Sequence, residues 1–111
     1  MTNARELANL VGGTLTNVTS GTNNVALGDE ALEAVTDGSN NVAVGKDAGT
    51  ALTSGSGNVA IGYQALDAED ANGLNTAIGY QALSSQNAGF DAKNTAVGYQ
   101  AGAAVTEGDR N

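Results

Sequence analysis

"NTAIGYQAL", from Asn75 to Leu83, returns almost unchanged as "NVAIGYQAL" from Asn58 and as "NTAVGYQAG" from Asn94. Looser copies, "NVALGDEAL" and "NVAVGKDAG", begin at Asn24 and Asn41. The starts are evenly spaced, except that the step from Asn75 to Asn94 is longer by two. A catalytic motif normally occurs once, where its chemistry is. A phrase that recurs at near-constant spacing points to architecture.

Asn at the first position, Ala at the third, Gly at the fifth and Ala at the eighth do not vary among the five copies. The second position is Val25, Val42, Val59, Thr76 and Thr95; the fourth is Leu27, Val44, Ile61, Ile78 and Val97. Side chains alternate across a strand, so these two positions share a bulky face and the invariant Ala lies on the other. The spacing predicts a strand of four or five residues, bent by a Gly that tolerates a positive φ. The intervening "TSGSG", "DANGL" and "QNAGFDAK" are rich in turn formers, and the two extra residues of the fourth copy fall there. Asn111 falls one regular step after Asn94 and would open a sixth copy, so the chain is expected to be a piece of something longer.

One strand and a return in each copy, about 17 residues long, fits one coil of a parallel β-solenoid, an all-β fold. Coils stack about 4.8 Å apart, so five give a rod of roughly 25 Å. Equivalent residues then form ladders. Asn24, Asn41, Asn58, Asn75 and Asn94 are expected to bond amide to amide, and Tyr63, Tyr80 and Tyr99 to stack. An Ala-only interior implies a narrow coil that buries little, which leaves the Val/Leu/Ile face to be covered from outside. In a homo-oligomer about a common axis, that cover is the same face of sister chains.

Composition agrees. Of 111 residues, 41% are hydrophobic, but Ala supplies about half of these, and aromatics amount to three Tyr and Phe90. At about 25 cal/mol per Å² of buried apolar surface, so Ala-rich a chain gains little against roughly 1–2 kcal/mol of backbone entropy per residue. A compact monomer with one large core is not expected. The net charge of -8, with four Lys and Arg, argues against a nucleic-acid partner or an anionic membrane surface. No apolar run is long enough for a spanning helix, and no signal-peptide pattern begins at Met1. Cys is absent, which leaves the redox compartment undetermined.

Residues 1–23 lack the phrase. Asn3 and Glu6 fit a capping box, Leu7, Leu10 and Val11 follow at helical spacing, and Gly12-Gly13 ends the run. A short helix is expected, either as an attachment element presenting Leu7, Leu10 and Val11 or as a cap that shields the first coil's edge. Residues 13–23 read as an extended polar lead-in, and 24–111 as the repeat domain.

Chemistry-bearing patterns are few. Residues 55–60 fit a GxGxxG/A dinucleotide fingerprint in letters only, because no βαβ unit surrounds them. Without His or Cys, the triads built on those residues are impossible. Asp29-Glu30 and Glu69-Asp70 are paired carboxylates of the kind glycoside hydrolysis uses, but acidic neighbours in turns usually face solvent. Calcium at the acidic turns lacks the GGxGxD nonapeptide. Asn17-Val18-Thr19 matches a glycosylation sequon. No cofactor, no metal and no enzymatic activity are expected. The Tyr-Gln pairs are the most exposed-looking candidates, either as a sugar-stacking ladder or, more simply, as rings covering a seam between coils or chains.

The Asn-x-Ala-(Ile/Val)-Gly phrase resembles the head repeats of trimeric autotransporter adhesins, the YadA-like left-handed parallel β-roll. The fuller "NTAVGYQAG" and "NTAIGYQAL" are similar to repeats of bacteriophage tail fibres, especially marine and cyanobacterial ones. "ARELANL" more weakly resembles openings of marine phage structural proteins. The likeness spans Asn24 to Asn111. The first two copies depart from it, with Asp29-Glu30 and Lys46-Asp47 in place of Tyr-Gln.

The resemblance implies an intertwined homotrimeric fibre with the second and fourth positions around the threefold axis. It further implies a virion structural protein in the virion-proximal part of a tail fibre. Residues 1–23 would hold a tail or baseplate protein, and residues beyond 111 would meet a host surface receptor. A bacterial adhesin head at the cell surface, the shaft of a polysaccharide-degrading tailspike and a capsid decoration fibre are the alternatives.

Overall fold

The computed structural model describes residues 21–106, Asp70, Ala88 and Phe90 excepted. Each copy of the phrase supplies one strand: β1 (Val25–Leu27), β2 (Val42–Val44), β3 (Val59–Ile61), β4 (Thr76–Ile78) and β5 (Thr95–Val97). The strands form one parallel sheet in sequence order. Val25 lies opposite Val42, Ala26 opposite Ala43 and Leu27 opposite Val44, and the same register continues to Ile78 opposite Val97. A chain whose every strand pairs in parallel with the next, one repeat later, is a β-solenoid, here of about four turns. The described residues are all-β and contain no helix. The expected helix and its Leu7, Leu10 and Val11 lie outside them.

The strands are three residues long, shorter than the four or five that the spacing predicts. Both ends are fixed by backbone that cannot continue a strand. The residue before each invariant Asn has positive φ (Asn23, Asn40, Gly57, Leu74 and Lys93), and so does each fifth-position Gly, Gly62 at 123° for example. A β-carbon on Gly62 would also lie 2.6 Å from the carbonyl oxygen of Gly79 in the next coil. Gly is therefore required twice over, by φ and by the stacking distance.

Hydrogen bonding between coils continues past the strands. Gly62 N–H donates to Val44 O at 2.7 Å, Gln81 N–H to Tyr63 O at 2.8 Å, and Leu66 N–H to Ala82 O at 3.0 Å. The turn before Asn24 is already in register, with Asn40 N–H donating to Thr22 O at 2.9 Å.

The interior is not Ala-only. Ala43, Ala60, Ala77, Ala48, Ala65 and Ala82 are buried there as the spacing requires, but Leu32, Leu52, Leu66 and Leu83 are buried with them, and Val35 and Val105 pack against the cluster. The leucines enter from the ninth position (Leu32, Leu66, Leu83) or, where that position is Gly49, from the twelfth (Leu52). Leu32, Leu66 and Leu83 hold φ between 50° and 53° to do so. A left-handed conformation costs about 1–2 kcal/mol, and complete burial of a Leu side chain contributes roughly 1.5–3 kcal/mol, so burial wins. The coil thus closes an apolar core of its own, with the Ala of each strand facing it.

Candidate functional site

The second- and fourth-position residues face away from this core. Val25, Val42, Val59, Thr76 and Thr95 form one column and Leu27, Val44, Ile61, Ile78 and Val97 the other, aligned by the strand register. Val25, Leu27 and Val97 are exposed, and the middle coils are half-buried by their neighbours above and below. The result is a continuous outward sheet face, mostly β-branched and aliphatic, running along the described rod.

Asn24, Asn41, Asn58, Asn75 and Asn94 stack at the edge of the interior, and the last four are fully buried. Their ladder is not amide to amide. The Oδ1 of each of the first four accepts the backbone N–H of the next Asn, at 2.9 Å for Asn24 to Asn41 and 3.0 Å for Asn75 to Asn94. The Nδ2 is thereby free to donate across the coil, from Asn24 to Gly38 O, from Asn41 to Gly55 O and from Asn58 to Asn72 O. Amide-to-amide pairing instead joins the seventh-position glutamines, Gln81 to Gln64 and Gln100 to Gln81, both at 2.9 Å.

Asn75 breaks the pattern, in the repeat that is longer by two residues. The carbonyl equivalent to Asn72 O would be Asp91 O, which instead accepts from Lys93 Nζ at 3.4 Å. Asn75 Nδ2 donates to Glu69 Oε2 at 3.4 Å, while Glu69 Oε1 accepts from Asn72 at 3.2 Å. Asn94 Nδ2 likewise donates to Gln86 Oε1, at 2.5 Å. Glu69 is therefore fully buried, contrary to the expectation that it faces solvent. At both places a side-chain oxygen from the twelfth position accepts where a backbone carbonyl serves Asn24, Asn41 and Asn58. The signal was present at the twelfth position, where Val35, Leu52 and Val105 line up with Glu69 and Gln86. Gln86 Nε2 is buried with no hydrogen-bond partner.

Tyr63, Tyr80 and Tyr99 stack ring on ring, with centroids 5.1 and 5.2 Å apart and planes 25° and 12° from parallel. Their inner faces are spent on one another. In the first two coils the same column is ionic: Lys46 Nζ lies 3.3 Å from Asp29 and 3.3 Å from Asp47. Hydrogen bonds to Asp47 and then Asp29 hold the Lys46 ammonium above its ordinary pKa. The charge of Glu33 raises the carboxyl of Glu30, opposed by Lys46 and reinforced by Asp47.

The glycine-rich stretch from Gly55 offers no phosphate cradle. Gly57 N–H donates to Ser39 O at 3.0 Å, and a β-carbon at Gly55 would lie 2.2 Å from Asn72 O, so its backbone is occupied by coil stacking. Among the described residues no group of three or more acidic side chains is placed to hold a metal ion, and no helix is long and apolar enough to cross a membrane. In comparison with known proteins, no family model, no curated protein and no solved structure matches the chain.

Proposed function

We propose that this chain is a shaft segment of a homotrimeric fibre, a structural protein of a phage virion in the part of a tail fibre near the tail. Residues 1–23 attach the fibre to a tail or baseplate protein, and the stacked coils extend it towards the host for adhesion. The observation that carries the reading is the unpartnered outward sheet face. Of its two columns, Leu27 to Val97 is aliphatic in every coil, and Val25 to Thr95 is β-branched throughout, with Thr in the last two coils. A face of that kind is suited to a long partner of the same period, and sister chains in register have that period by construction. Hydrogen bonding between coils and apolar packing between chains give stiffness without an active site. The resemblance of the repeat phrase to tail-fibre and adhesin-head repeats supports the same reading and supplies the number three.

Sedimentation equilibrium of the whole chain over a dilution series is the test. A mass of three chains that persists on dilution is expected, and Ile61→Asp, which places a charge in the middle of the face, should shift it to the single-chain mass. A folded single chain for the unaltered protein would overturn the reading.

A further inference from the structure

The chain has no Cys, no Trp and no His, and its single Met is Met1. The three tyrosines are accordingly its most readily oxidised aromatic groups, and the fold gathers all of them into one column. Tyr80 has a ring neighbour on each side, Tyr63 at 5.1 Å and Tyr99 at 5.2 Å. Tyr80 is 44% exposed and Tyr99 73%, so both rings are open to a reagent in solution. Beside them, the Gln64–Gln81–Gln100 amide ladder holds the same three coils in register.

We propose that this column is a covalent cross-linking site, taking hydrogen peroxide through a haem-peroxidase-type one-electron oxidant and forming dityrosine between adjacent coils of one chain. Each of two phenols loses its hydroxyl hydrogen as a proton and an electron. The two phenoxyl radicals join through one carbon ortho to each oxygen, and the hydrogen on each joined carbon then moves to oxygen to restore both phenols. The two electrons and two protons reduce one hydrogen peroxide to two waters, so the chain loses two hydrogen atoms. Holding the partners as near neighbours makes coupling intramolecular, where it outcompetes encounter between separate chains. An exposed ring can slide edge to edge with its neighbour without disturbing the buried leucines, because the tyrosines lie outside that core. The bond would clip the third coil to the fourth, or the fourth to the fifth, in the column where Lys46 and Asp29 link the lower coils by charge.

The test is to treat the full chain with horseradish peroxidase and hydrogen peroxide, then denature it and read mass, gel mobility and dityrosine fluorescence. A single-chain band lighter by two hydrogens is expected, with a cross-linked peptide joining Tyr80 to Tyr63 or to Tyr99. Tyr80→Phe keeps a ring in the stack but forms no phenoxyl radical, and should abolish the single-chain product. Tyr63→Phe should leave the Tyr80–Tyr99 product alone. Full dityrosine yield in Tyr80→Phe, dityrosine found only between chains, or oxidation without dityrosine would each overturn the proposal. The single-chain product is expected whether the chain is alone or assembled with copies of itself.

Discussion

Leu52 occupies the side of Gly49 that a side chain would fill: a β-carbon at Gly49 would sit 2.9 Å from Leu52 Cδ1 and 3.0 Å from Leu32 Cδ2. The second coil therefore fills its interior from the twelfth position where the first, third and fourth fill theirs from the ninth. Gly49→Ala is expected to lose about 1–3 kcal/mol by overpacking. Leu52→Ala should lose about 2–5 kcal/mol by leaving a cavity. Combining Gly49→Leu with Leu52→Ala should recover much of that loss, since Leu at φ near 53° is what Leu32 and Leu66 already adopt. Urea unfolding of Gly49→Leu, Leu52→Ala and the double variant measures the coupling, and strict additivity would show that the two positions do not share one space.

Among the buried asparagines, Asn41 and Asn58 each satisfy two backbone groups, which makes them costly to replace. Asn58 Oδ1 accepts from Asn75 N–H at 3.0 Å and Asn58 Nδ2 donates to Asn72 O at 3.1 Å. Asn58→Ala should cost about 1–3 kcal/mol for each partner left unpaired. Asn58→Asp keeps the acceptor but turns an oxygen towards Asn72 O, so it too should destabilise. Thermal midpoints of the two variants check both expectations.

Glu69 serves Asn75 in the repeat whose turn is lengthened by two residues. Glu69→Ala should cost about 1–3 kcal/mol by stranding the Asn75 amide. Glu69→Gln retains an amide oxygen, as Gln86 does for Asn94, and should be the milder change. Deleting two residues from the lengthened turn should make Glu69→Ala better tolerated, because the Asp91 carbonyl can then take the place that Asn72 O has for Asn58. Denaturant midpoints of Glu69→Ala in the two backgrounds give the comparison.

The coil architecture was legible because it follows from local rules that repeat. A Gly needed for φ and for close approach, an Ala needed for a narrow interior, and an Asn needed to bridge coils leave the same letters in every copy. The leucine core was less legible because it is shared between two positions. Leu66 and Leu52 do equivalent work from different places in the phrase, so neither column reads as invariant. Glu69 is hard to read for a related reason: its neighbour Asp70 and the turn composition suggest solvent, while its oxygens accept from the side-chain amides of Asn72 and Asn75. The asparagine bonds depend on backbone geometry, and a column of identical amides does not say whether they pair with one another or with the chain.

Asp67 carries a pH dependence whose sign follows from its burial. Burial is the largest influence on its carboxyl and raises its pKa above the ordinary 3.8; a hydrogen bond from its own backbone opposes this, and the charge of Asp47 reinforces it. The folded state therefore holds the proton more firmly than the unfolded chain. Ionisation at this site costs stability as pH rises through the interval between 3.8 and the raised value, and the cost is complete above it. Asp67→Asn removes the charge and keeps an oxygen for the backbone bond. It should leave stability unchanged well below pH 3.8 and raise it near neutral pH. Urea midpoints of both proteins across a pH series give the test: a stabilisation equal at all pH values would place its origin in packing instead of in the carboxyl's charge.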